Sequence, residues 1–245
     1  MIKLMRTMRR KSLSENRFTR YLAYAAGEIV LVVAGILIAL QLNSWSDQRK
    51  NKVLVAQYTE NLIEDLVEDS THIQAVLAGI AKDTALLAKF ESRVRNSPYP
   101  LDTLCFIARY DYNFYIYGQF DFNNDTYSVL NSTGHIALFD KDIISELNVL
   151  SNQQDLALAS TQQTFDSYRS NIHRYAQQYP VPFESNLITN GSVLADTIWN
   201  QISLIEHATQ FNALVLAKGD SYRLALKSLP ILADQINDLL EKLRE

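Results

Sequence analysis

Hydrophobic side chains fill residues 21–42 almost without interruption, reading YLAYAAGEIVLVVAGILIALQL with Glu28 as the only charge. At ~1.5 Å per residue the run matches a ~30 Å hydrocarbon layer and predicts one membrane-spanning helix. Beyond it the pattern turns amphipathic: Val55, Tyr58, Leu62, Leu66, Ile73, Leu77, Ile80, Leu87 and Val94 recur at helical spacing, and no proline or glycine intervenes before Gly79. The membrane helix is therefore expected to continue outward to about residue 96. A second helical pattern runs through Ile144, Leu147, Leu158, Phe165, Tyr168, Ile172 and Tyr175, with Asp140 or Asp142 as its cap. A third resumes after Asn190-Gly191-Ser192, a turn and cap, through Ile198, Ile202 and Ile205 to Leu243. Gly219 and Pro230 are expected to break or kink it. The predicted fold is all-α: one N-terminal transmembrane helix continuing into an extracytoplasmic bundle of three to four long helices, with a short aromatic-rich irregular insertion. Its parts are a basic arm (1–20), the transmembrane helix (21–45) and an extracytoplasmic helical domain (46–245).

Charge orients this plan. Residues 1–20 hold seven Lys and Arg against Glu15 alone, a net of +6, while only Arg49, Lys50 and Lys52 follow the span closely. The positive-inside bias puts the N-terminus in the cytoplasm and the C-terminal domain outside the membrane. A cleaved signal peptide is the rival, but this apolar run exceeds a signal core and Ser44-Trp45-Ser46 is a poor cleavage site. With a total of −4, residues 21–245 carry −10, which argues against nucleic acid as a partner and leaves membrane lipid for the basic arm. Ser14 is the candidate cap of the entering helix. The arm is too short for an enzymatic output domain.

Inside the span, Ala23, Gly27 and Ala34 share one helical face, the kind of small-residue surface that lets two membrane helices approach. Glu28 costs ~2.5–3.5 kcal/mol at mid-bilayer on insertion scales and is the functional candidate of the span. Between the two Pro-x-Pro elements at 98–100 and 180–182, aromatic residues crowd into 106–127. Tyr110, Tyr112, Phe114, Tyr117, Phe120 and Tyr127 are the candidate ligand or partner patch, with packing as a bundle cap the plainer role. Their alternation predicts partly extended chain, after a short helix over 101–110.

Catalytic chemistry is sparse. Glu60, Glu64 and Glu68, with Asp65 and Asp69 beside them, read as a solvated acidic face. Asp69-x-x-His72 lacks the second carboxylate–histidine pair of a di-iron site, so neither metal nor cofactor is expected. No Gly-x-Ser-x-Gly, phosphate loop or His-Glu-x-x-His occurs, and Cys105 stands alone. Ser132-Thr133-Gly134-His135 reads as a helix end.

The basic arm with Tyr21-Leu22, GEIVLVVAGILIALQLNSW over 27–45 and DTYSVLNSTGHIALF over 125–139 resemble a family of uncharacterised bacterial single-pass membrane proteins, a domain of unknown function frequent in Bacteroidetes. The resemblance implies an N-in anchor carrying an extracytoplasmic helical domain, and no activity. The expected function is that of a non-catalytic interaction or scaffold protein of the envelope, homo-oligomeric or bound to another envelope protein. The alternatives are a ligand-sensing module and a proton-motive-force-coupled subunit using Glu28.

Overall fold

The computed structural model describes residues 2–183 and 187–245, and the side chains of residue 22, of 25–183 and of 187–245. The regular elements of the described residues are all helical: α1 (Ile2–Arg95), α2 (Pro100–Phe106) running into a π-helical turn (Ile107–Asp111), α3 (Asp125–Thr133), a 3₁₀ turn (His135–Leu138), α4 (Lys141–Ala176), α5 (Val193–Trp199) and α6 (Leu204–Arg244). No strand occurs among the described residues. The chain divides into two units, Met1–Gln57 and Tyr58–Glu245. Of the first, α1 holds a run long and apolar enough to cross a membrane, none of it buried by the chain itself.

Three helical segments build the second unit. Leu62, Leu66, Ile73, Val76 and Ile80 of α1 pack with Leu147, Leu150 and Ala157 of α4 and with Tyr222, Leu229, Leu232 and Ile236 of α6. A second cluster joins Phe90 to Tyr168 and Tyr175 of α4 and to Phe211 and Leu214 of α6. Rising numbers along α1 thus meet rising numbers along α4 and falling numbers along α6. In this unit α1 and α4 run the same way, and α6 opposes both.

That topology explains the segment at 112–124, here called the strap. Parallel neighbours need a return connection. The strap makes it, passing from Asp83, beside Asn113, to Asp69, beside Asn123. Those fourteen residues of α1 rise ~21 Å, whereas the ten strap residues coiled as a helix would span only ~15 Å. The strap must be extended, and the predicted alternation is borne out as extended chain rather than as a strand.

Several boundaries differ from the sequence reading. Ser14 lies within α1 rather than at its start, and Asp140 holds the α4 N-cap position without a side-chain cap bond. Ser192 caps α5 as expected, accepting from the Ala195 N–H at 3.2 Å, after Gly191 at φ 81°. The third pattern is interrupted at 200–203, where Ser203 restarts the chain as the cap of α6. Conversely α6 runs unbroken through Gly219 and Pro230. Pro230 is exposed, so the carbonyl it leaves without a donor faces water, while the buried Leu229, Leu232 and Ile236 hold the helix on either side.

Candidate functional site

An extended chain inside a helical bundle has no partner strand, and its buried backbone groups still need hydrogen bonds. Side chains of the three long helices supply them. Lys218 Nζ donates to the Asn113 carbonyl at 2.7 Å, and Tyr168 Oη to the Phe114 carbonyl at 3.0 Å. The Tyr117 N–H donates to Tyr222 Oη at 3.3 Å, and the Asn123 N–H to Asp69 Oδ1 at 2.8 Å. The strap is fastened at four points along its length.

The centre of this arrangement is the ion pair of Lys218 with Asp83 Oδ2 at 2.5 Å, both side chains removed from water. Tyr222 Oη donates to the same carboxylate oxygen at 2.6 Å. The ammonium also faces the Tyr112 ring, 4.9 Å from its centroid. Burial pulls the Lys218 ammonium below its ordinary range, and the Asp83 carboxylate opposes that pull. Since Tyr168 donates to the Phe114 carbonyl, the 3.1 Å contact between the Tyr112 and Tyr168 hydroxyls has Tyr112 as donor. Burial pushes the phenols of Tyr112, Tyr168 and Tyr222 up. Tyr112 and Tyr168 are bonded to each other and Tyr222 to Asp83, which ties the strap to α4, α6 and α1.

The acidic face of α1 is not simply solvated. Asp69 is 3 % exposed, and Gln154 Nε2 donates to its Oδ2 at 2.9 Å. One turn earlier Asp65 accepts from the Thr126 N–H at 3.1 Å, and Glu68 accepts from Asn123 Nδ2 at 3.1 Å. Because α3 starts without a side-chain cap of its own, α1 caps it from across the bundle, carboxylate to helix N-terminus. Burial raises the Asp69 carboxyl to about 6, against the bonds from Asn123 and Gln154, and the neighbouring Asp65 and Glu68 charges add to the rise.

At the other end His207 is wholly buried, ringed by Tyr175, Tyr179, Trp199 and Phe211. Its Nε2 shares a 2.7 Å bond with Tyr175 Oη, its Nδ1 has no partner, and burial lowers its pKa to about 4. Arg109 lies over the Trp199 ring and pairs with Asp196 at 2.7 Å. Burial raises the half-buried Cys105 thiol, against a reactive thiolate. Among the described residues no three His, Cys, Asp or Glu side chains gather as a metal site.

The predicted aromatic patch divides in two. Tyr112 and Phe114 are core; Tyr127 is half-buried, donating to Asn148 Oδ1 at 2.6 Å. Tyr110, Tyr117 and Phe120 are exposed, together with Phe106 and Tyr115. The Tyr117 ring lies on Gly79 of α1, where a Cβ would fall well inside contact distance, and Phe120 meets Phe165 of α4 edge-on at 5.1 Å. In the apolar run Glu28, Gly27 and Ala34 are all exposed, whereas the Ala23 side chain lies outside the described residues.

Asp83, His207 and Lys218 escaped the motif reading, and Asp69 was read as part of a solvated face, yet a positional signal marks such residues. Asp69 and Asp83 continue the spacing of Leu62, Leu66, Ile73, Val76 and Ile80, and Lys218 falls between Leu214 and Tyr222. Polar residues in a core register are the trace of a buried polar structure. No curated protein and no solved structure matches the chain. Residues 28–91, which take in most of the apolar run together with Asp69 and Asp83, match the model of DUF6090, a family of unknown function.

Proposed function

We propose that this is a single-pass protein of the bacterial inner membrane, N-terminus in the cytoplasm, whose periplasmic helical domain acts as a non-catalytic interaction or scaffold module. It works as a homo-oligomer or bound to another envelope protein. The observation that carries the reading is the exposure of five rings, Phe106, Tyr110, Tyr115, Tyr117 and Phe120, on or beside a strap whose backbone is fastened from within. Exposed aromatics on a rigid support present large contact area with little conformational entropy left to lose, the profile of interface anchors. The small-residue face with Gly27 and Ala34 suits helix–helix contact in the bilayer.

The test is extraction of the full-length protein in native-membrane polymer discs, followed by native mass spectrometry. A defined homo-oligomer or a stoichiometric envelope partner is expected. Tyr110→Ser with Tyr115→Ser should weaken that association while leaving the melting temperature unchanged. A partnerless monomer in native lipid refutes the proposal.

A further inference from the structure

Between α1, α2 and α6 the second unit leaves an open cleft of about 660 Å³, within the ~300–1,000 Å³ of small-molecule sites. Its floor is apolar and buried, made by Phe90, Ile107 and Phe211. Thr84 and Asn212 are the uncharged polar residues of its lining, so the interior has little to offer a polar ligand. The mouth is different in character. Glu91 and Arg95, one turn apart on α1, form an ion pair there with both side chains mostly exposed.

We propose that the cleft binds a single-chain amphiphile with a zwitterionic head group, of the lysophosphatidylethanolamine class. The chain lies on the apolar floor, the phosphate meets Arg95 and the ammonium meets Glu91. Charge complementarity selects this class: an anionic head at Arg95 alone would also face the Glu91 carboxylate, and a cationic head at Glu91 would face the guanidinium. A head carrying both signs exchanges one exposed pair for two. Arg95 uses one N–H group on Glu91, and the guanidinium fork has five, so a phosphate can bind without displacing the side chain. Ile107 of the floor begins the π-helical turn Ile107–Asp111, a local distortion of helix that recurs at functional sites. The strap rings play no part in this site, so it stands or falls separately from the partner surface.

The experiment uses full-length protein in native-membrane polymer discs and a lysophosphatidylethanolamine carrying a photoactivatable diazirine on its chain, with labelled peptides mapped after illumination. Label is expected at 87–107 and 211–216 as well as at 25–42, the apolar run serving as internal control. Leu216→Trp, at an exposed edge of the cleft, should reduce cleft labelling about tenfold and leave labelling of the run unchanged. Glu91→Lys, on an exposed side chain, should likewise reduce it while raising labelling by diazirine-bearing palmitate, whose head is anionic. Label confined to 25–42, or cleft labelling indifferent to both substitutions, overturns the proposal. Equal labelling by the two probes in the unsubstituted protein overturns the zwitterionic assignment.

Discussion

At Asp69 and His207 burial moves two ionisations in opposite senses, and the pH dependence of stability follows from their sum. The Asp69 carboxyl, near 6 in the fold against an ordinary 3.8, holds its proton more tightly folded than unfolded. Acidification from about 6 toward 4 therefore stabilises the domain through this residue. His207, near 4 against an ordinary 6.5, is the reverse. It takes up a proton more readily unfolded, so stability present above pH 6.5 is lost as pH falls through the same window. At ~1.4 kcal/mol per pKa unit each effect is on the order of 3 kcal/mol, and the two nearly cancel. Asp69→Asn, with Gln154 turning its amide to present oxygen, keeps the bonds and removes only the acid-side gain. That variant should lose stability between pH 6.5 and 4 relative to the parent. His207→Phe should gain relative to the parent over the same range. Thermal melts of the full-length protein in mild detergent at pH 7, 6, 5 and 4 check this, and parallel profiles for parent and variants would refute it.

Among elements, the strap decides how α1, α4 and α6 are joined, and Lys218 with Asp83 decides how the strap is held. Removing one member of a buried ion pair typically costs ~3–5 kcal/mol, because the other is left charged and dry. Lys218→Met should cost about that much, since it also strips the Asn113 carbonyl of its donor. Adding Asp83→Leu should return part of the loss, giving a favourable coupling of ~1–3 kcal/mol in a double-mutant cycle. Additive losses in urea melts would show that the two side chains act independently. The elements themselves were largely readable beforehand. Long amphipathic repeats mark α1, α4 and α6 because a buried helical face leaves its period in the sequence. The strap was readable only in part: alternation at 110–122 signals extension, but its partners are single side chains scattered over three helices with no common spacing. The break allowed for at Pro230 does not occur: proline's local cost is visible in a sequence, and the packing that holds the helix on either side is not. Of the acidic face, Glu60, Glu64 and Glu68 are exposed as expected, but Asp65 and Asp69 were misread, since nothing local to them announces that α3 will present its N-terminus there.

Over the whole molecule, the two units differ in what they need to remain in solution. Met1–Gln57 holds an apolar run that the chain leaves uncovered, whereas Tyr58–Glu245 has its own core in two clusters. Those clusters are not separate folding units. Each is built from α1, α4 and α6, Ile116 of the strap packs against both, and the Asp83–Lys218–Tyr222 layer joins the helices where they meet. One cluster cannot loosen without disturbing helices that also carry the other. A fragment of residues 58–245 should therefore be soluble without detergent, strongly helical, and lost in one cooperative step on denaturation, with circular dichroism and tryptophan fluorescence giving the same midpoint. The fluorescence probe is local: of the two tryptophans in the chain, Trp45 is absent from the fragment, and Trp199 reports from the cluster around His207. A fluorescence midpoint well below the circular-dichroism midpoint would mean that the His207 cluster melts by itself. The strap would then be a hinge between two halves, and the rings it carries could not serve as a rigid surface for a partner.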